Sequence, residues 1–181
     1  SNRSFSLQPR KSLPPLRISG DDGILNGKET EYGGAGLDQI SYGLLMQELE
    51  RGDSGLRSTA SVQSSLVMYP IYSFGSEEQK RKYLPKLGSG EMMGCFGLTE
   101  PDFGSNPSGM ISNIKDKGDH YLLNGAKMWI SNAGFCSLFI VFARIEDDKN
   151  ITGFIVENDP SNGISMNEEE HKLGIRASST R

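Results

Sequence analysis

The sequence predicts an α+β fold, part of a helical domain followed by an antiparallel β-sheet or small barrel, and three features carry that prediction. Apolar residues recur at helical spacing through residues 23–90. From residue 91 to 181 they alternate instead, as half-buried strands do. The two periodicities occupy separate blocks, which argues for two structural regions and against a doubly wound sheet. Residues 1–22 precede both and fit neither.

That first stretch carries Arg3, Arg10, Lys11 and Arg17 with no acidic residue through position 18. An Arg-rich, Ser-rich, acid-free start resembles an organellar transit segment, but Pro9, Pro14 and Pro15 interrupt the amphipathic helix such segments form. Residues 1–22 are therefore read as a leader, either disordered or a transit or cloning remnant. Gly34-Ala35-Gly36 ahead of a helical pattern invites a dinucleotide-binding reading. Gln39 stands where the third glycine belongs, and no apolar strand precedes the turn, so the reading is rejected.

Leu37, Ile40, Leu44, Leu45 and Leu49 predict a buried stripe on a helix that runs to about Arg51. Asp53 or Ser54 can cap a second helix, with Leu56, Ala60, Leu66 and Val67 among its apolar positions and Pro70 as its expected stop. Ser76-Glu77-Glu78-Gln79 is a capping-box signature for a third helix, expected to end near Pro85. Strands are predicted over residues 92–98, 110–115, 121–124, 126–130, 138–144 and 152–156, with Asn124-Gly125 as a hairpin turn.

Composition narrows the function classes. The chain has 181 residues, 35% hydrophobic, enough to bury a core, and its net charge of −4 offers no basic field for nucleic acid. The longest apolar run, residues 138–143, falls far short of a membrane span. Cys95 and Cys136 lack metal-like spacing, and His120 and His171 have no partners nearby in sequence, so neither a disulfide framework nor a metal site is expected.

The chemistry is concentrated in two stretches. Gly94-Cys95-Phe96-Gly97-Leu98-Thr99-Glu100-Pro101-Asp102-Phe103-Gly104-Ser105 is a short apolar strand breaking into a glycine-punctuated polar loop. Amides around Gly104 and Ser105 can converge on an oxyanion or ring carbonyl, and Thr99 adds a hydroxyl. Lys127-Met128-Trp129-Ile130-Ser131-Asn132 brings a flat apolar face with one donor. This equipment suits a planar, hydrogen-bonding cofactor with a phosphate tail, although each feature alone is also compatible with a turn and a core aromatic.

The two stretches closely resemble the flavin-binding segments of the acyl-CoA dehydrogenase family. The resemblance runs from about Gly23 to Arg181 and implies the family's helical N-terminal domain and β-sheet middle domain. It also implies FAD, held by Phe96, Gly97, Leu98, Thr99, Glu100, Pro101, Gly104 and Ser105 and by Trp129, Ile130 and Ser131; the family often has Thr where this chain has Ser131.

Arg57 falls in the first turn of the second helix, where unpaired amides and the helix dipole already favour an anion. Ser61, four residues on, shares its face, so the two can meet one carboxylate. The simpler alternative is a surface pair with Asp53, worth about half a kcal/mol. Glu50 to Ser58, with Ser61 beyond, is similar to the glutaryl-CoA dehydrogenase branch of the family. That similarity implies that Arg57 and Ser61 bind the distal carboxylate of glutaryl-CoA, with Glu50 beside them, Ser58 in the substrate pocket and Ser105 near the thioester.

The implied reaction is α,β-dehydrogenation followed by decarboxylation to crotonyl-CoA, with electrons passed to electron-transfer flavoprotein. The resemblance further implies a homotetrameric full-length protein, in the mitochondrial matrix if eukaryotic and the cytoplasm if bacterial. The family's catalytic Glu lies in a C-terminal helical domain, so no catalytic residue is assigned within residues 1–181 and the isolated chain is expected to be inactive. Two other classes remain open: another dehydrogenase, oxidase or flavin monooxygenase relative, and a non-catalytic ligand-binding module.

Overall fold

The computed structural model describes residues 4–7, 29–33, 38–146 and 150–181. Apart from one strand at Ser4–Leu7, its order is helical first and sheet second, the α+β arrangement that the sequence predicts. Helix α1 spans Gln39–Gly52 and starts where the Asp38 side chain accepts the Ser41 amide at 2.7 Å. It ends at Asp53, whose N–H closes the last turn on the Leu49 carbonyl at 2.8 Å. The same residue caps α2, Ser54–Ser61, its carboxylate accepting the amides of Gly55 at 2.7 Å and Leu56 at 3.0 Å. Of the two candidate caps, Asp53 fills the role, leaving Ser54 free to turn its hydroxyl toward Glu50.

The helix does not stop before Pro70. It widens into a π segment, Val62–Met68, and continues as α3, Tyr69–Phe74, with Pro70 buried inside it. The wider π turn gives the proline ring room that α geometry denies against the carbonyl four residues back. Helix α4, Glu77–Ser89, likewise passes through Pro85 and ends at Gly90, which takes the left-handed conformation at φ 78°. Pro85 and Arg81, whose carbonyl loses its helical amide partner, are both exposed, while Tyr83, Leu84 and Leu87 hold the helix to the core. The capping box forms in both directions: Ser76 Oγ accepts the Gln79 amide at 3.2 Å, and Gln79 Oε1 accepts the Ser76 amide at 2.8 Å.

Leu37 lies outside the described residues, and the rest of the stripe predicted to be buried on α1 is not buried. Ile40 is 76% exposed, Leu44 and Leu45 are exposed, and no residue of the helix is buried, because none of the described residues covers that face. Leu56 and Leu66 of the following helix are also exposed. Periodicity fixed the face, but burial depends on a neighbour.

Strand β1, Ser4–Leu7, pairs with β4, Tyr121–Asn124, inside the stretch read as a disordered leader; the rest of residues 1–22 lies outside the described residues. Strand β3, Asn113–Asp116, pairs with β4 through a tight turn at Gly118, whose φ is 95°. Strand β5, Leu138–Ile145, pairs along one edge with β2, Gly94–Gly97, and β3, and along the other with β6, Ile151–Glu157. The β5 pairings with β2 and β3 are parallel, so the sheet is mixed rather than antiparallel throughout. The long connections between these strands supply the crossover that parallel pairing requires.

Two further expectations fail together. Residues 126–130 form no strand, and Asn124-Gly125 is no hairpin turn. Gly125 packs directly on the Ser112 side chain, leaving no space for a Cβ, and the chain then leaves the sheet. Trp129 has φ 59°, which breaks any extended run.

Helices and sheet share one core. Val67, Ile71, Tyr83, Leu84 and Leu87 pack with Met110, Leu138, Ile140 and Phe142. Gln63, in the π segment, joins the halves: its Nε2 donates to the Leu87 and Met92 carbonyls at 2.8 and 2.9 Å, and its Oε1 accepts the Gly94 amide at 2.8 Å. Lys82 and Tyr83 of α4 reach Glu157 of β6 at 2.6 and 2.9 Å.

Candidate functional site

Strand β2 delivers the first polar stretch. Phe96 lies against Phe142 with ring centroids 4.8 Å apart, and Gly97 ends the strand. The chain then turns tightly, the Phe103 amide donating to the Glu100 carbonyl at 3.1 Å, with Pro101 exposed at the tip. Gly104 and Ser105 follow, both exposed. Beneath the turn the Glu100 carboxylate is buried, accepting the amides of Ile111 at 2.8 Å and Ser112 at 3.0 Å and the Lys127 ammonium at 2.9 Å. Burial pushes its carboxyl up, but these donors outweigh burial and hold it below the usual carboxylate range. Burial draws the Lys127 ammonium down, and Glu100 opposes that in part.

The second stretch lies beside the first. The Met128 amide donates to the Thr99 carbonyl at 2.9 Å, and Lys127 Nζ donates to the Leu98 carbonyl at 3.1 Å. A third segment, Ala177 to Arg181, straps it from the other side. The Ile130 amide donates to the Arg181 carbonyl at 2.7 Å, the Asn132 amide to the Ser179 carbonyl at 2.9 Å, and Ser131 pairs with Thr180. Held between these attachments, Trp129 combines a left-handed backbone with 61% exposure. A bulky residue in that conformation is strained by about 1–2 kcal/mol, and burial of the indole does not offset it.

The strap also reaches the helical half. A Cβ on Gly55 would lie 2.7 Å from both the Ala177 side chain and the Ser178 amide, so the first turn of α2 rests on it. Two residues on, Arg57 Nε bonds Glu50 Oε2 at 2.7 Å, and Ser54 Oγ donates to Glu50 Oε1 at 2.5 Å. Arg57's partner is therefore Glu50, not Asp53, which is occupied as the cap. The Ser54 hydroxyl first, then Arg57, holds the Glu50 carboxyl below its ordinary range. Ser58 and Ser61 follow on α2, both half-buried.

The structure thus gathers Glu50, Ser54 and Arg57 into one cluster, and joins Phe96 to Glu100 with Trp129 to Ser131 in another. Sequence reasoning missed the strap and the Glu100–Lys127 pairing, as well as Asn132, which is fully buried and donates to the Gly94 carbonyl at 3.2 Å. Among the described residues no group of three or more His, Cys, Asp or Glu side chains is placed to hold a metal, and no helix is long and apolar enough to cross a membrane. The exposed Ser105 and half-buried Thr99 on one segment and the open aromatic face on the other suit a flat group that accepts hydrogen bonds at its edges.

The structure is a helical block packed on a mixed sheet through one shared core, with two loops stapled together around an exposed aromatic. Residues 11–91 match the acyl-CoA dehydrogenase N-terminal domain, and residues 95–181 match the acyl-CoA dehydrogenase middle domain. The chain belongs to the acyl-CoA dehydrogenase family. It is 50% identical to a glutaryl-CoA dehydrogenase from Mycobacterium smegmatis solved in complex with FADH2, with a TM-score of 0.78, covering 86% of this chain and 40% of that one. A probable acyl-CoA dehydrogenase of Bacillus subtilis is 43% identical over 94% of this chain and 29% of its own length. The human mitochondrial short-chain specific acyl-CoA dehydrogenase is 42% identical over 83% of this chain and 37% of its own. The chain therefore spans well under half the length of these relatives.

Proposed function

We propose that this chain supplies the flavin-binding and acyl-recognition part of an FAD-dependent acyl-CoA dehydrogenase acting on glutaryl-CoA. Trp129 carries the flavin half of the reading, since a strained, exposed aromatic fixed by backbone bonds on both sides implies a ligand over its face. Phe96 to Pro101, Gly104, Ser105 and Trp129 to Ser131 would hold the cofactor, whose oxidised ring system accepts hydride. Thr99, Ser105 and Ser131 offer hydroxyls, and the glycine-bearing loop offers amides. Glu100 serves as a brace, because its oxygens are already taken by Lys127 and two amides. The base for the α-proton is assigned to a part of the longer protein outside residues 1–181.

The glutaryl reading rests on Arg57. Its side chain is only 33% exposed at the head of α2, and a guanidinium so covered is best matched by a carboxylate. Arg57 and Ser61 receive the distal carboxylate, Ser58 lines the pocket and Ser105 lies toward the thioester. Electron-transfer flavoprotein as acceptor, a homotetramer, and a mitochondrial matrix or bacterial cytoplasmic setting belong to the same proposal.

A second reading, an uncharged short-chain substrate, is favoured by the Glu50–Arg57 pair, which already neutralises the guanidinium. Turnover of glutaryl-CoA and butyryl-CoA by a full-length protein containing this chain separates the two. Arg57→Ala should lower glutaryl-CoA kcat/KM by a factor of about 100 and butyryl-CoA by less than about fivefold, as expected for loss of one charge-assisted pair. Equal losses on both substrates exclude the carboxylate role.

A further inference from the structure

An ion pair is buried between the two segments assigned to the flavin. Lys127 Nζ and Glu100 Oε1 are 2.9 Å apart, with side chains 12% and 2% exposed. The ammonium also holds the Leu98 carbonyl, and the carboxylate also holds the amides of Ile111 and Ser112. Glu100 closes the turn to Phe103 through its own backbone, while Lys127 stands two residues before Trp129 and next to Met128, which bonds Thr99. Three separate stretches of chain therefore converge on one pair of charges. An apolar pair of similar volume would contribute as much stability or more. What charge-assisted bonds add is direction and fixed spacing.

We propose that the Glu100–Lys127 pair is a positioning device: with its two charged groups buried against each other rather than placed on the cofactor, it sets the separation between residues 97–105 and residues 127–131 that a flavin ring requires. The inference rests on the flavin reading above.

The test uses the 181-residue chain, its Lys127→Arg variant and the double variant Glu100→Gln/Lys127→Met, which removes both charges together. FAD affinity is read by quenching of flavin fluorescence, the bound flavin by its visible absorption band, and the loop spacing by amide hydrogen exchange without FAD. The double variant should keep its far-UV circular dichroism, bind FAD at least about tenfold more weakly and show a shifted absorption band. Exchange at Met128 and Phe103 should accelerate about tenfold while β5 amides stay unchanged. Lys127→Arg should recover most of the affinity. Unchanged FAD affinity with unchanged exchange at Met128 and Phe103 overturns the proposal. So does an unfolded double variant, because the pair would then be structural. A parent chain that binds no FAD refutes the functional reading instead, and the exchange result decides the positioning role by itself.

Discussion

Gln63→Leu probes the joint between helices and sheet. The side chain keeps its approximate volume and loses three hydrogen bonds, two to the carbonyls of Leu87 and Met92 and one from the amide of Gly94. Gly94 is buried against Val67, so its amide gains no water in exchange, and a buried donor left unpaired costs about 1–3 kcal/mol. The two carbonyls add roughly 0.5–1.5 kcal/mol each at most, with relaxation reducing the sum, for a total of about 3 kcal/mol. In a chain of this size that lowers the thermal midpoint by roughly 6–12 °C. Urea unfolding followed by circular dichroism gives the free energy, and amide exchange at Gly94 gives the location. A loss below about 0.5 kcal/mol, with Gly94 still protected, would show that the side chain does not hold the two halves together.

Trp129→Gly should leave stability unchanged or raise it by about 1 kcal/mol, because glycine relieves the left-handed strain and the indole is mostly in water. FAD binding should be lost at the same time; calorimetric titration that finds it intact removes Trp129 from the site. The Glu100 carboxyl lies below its unfolded value, so its contribution is fully present above about pH 4.3 and is lost as pH falls through the lower folded value. Glu100→Gln should flatten the acid limb of a stability curve in that window, and an unaltered limb would contradict the assignment. Cys95 and Cys136 pack together in the core, and contact with Cys136 together with burial pushes the Cys95 thiol up. Both thiols are buried, so a disulfide reagent should label neither in the native state and both in denaturant; fast native labelling would mean that β2 opens locally.

What the sequence revealed and what it concealed divide by range. The Ser76–Gln79 capping box and the break at Asp53 were legible because every partner lies within four residues. Pro70 and Pro85 misled, since a π turn and an exposed helix face accommodate what local rules forbid. The alternating pattern at residues 126–130 read as a strand, yet its amides go to Thr99 and Arg181, which no local rule anticipates. In the site, the residue types around Glu100 and Trp129 stood out in the sequence. The bond between Glu100 and Lys127 spans 27 positions and emerged only once the chain had folded.

The single residue between α1 and α2 leaves that corner no slack. Asp53 terminates one helix and starts the next, so Glu50 and Arg57 face each other across a joint of fixed length. Asp53 is extended, so inserting one residue there would lengthen the joint by about 3.5 Å and change the direction in which α2 leaves α1. The acid and the guanidinium would then point past each other, even though neither had been mutated.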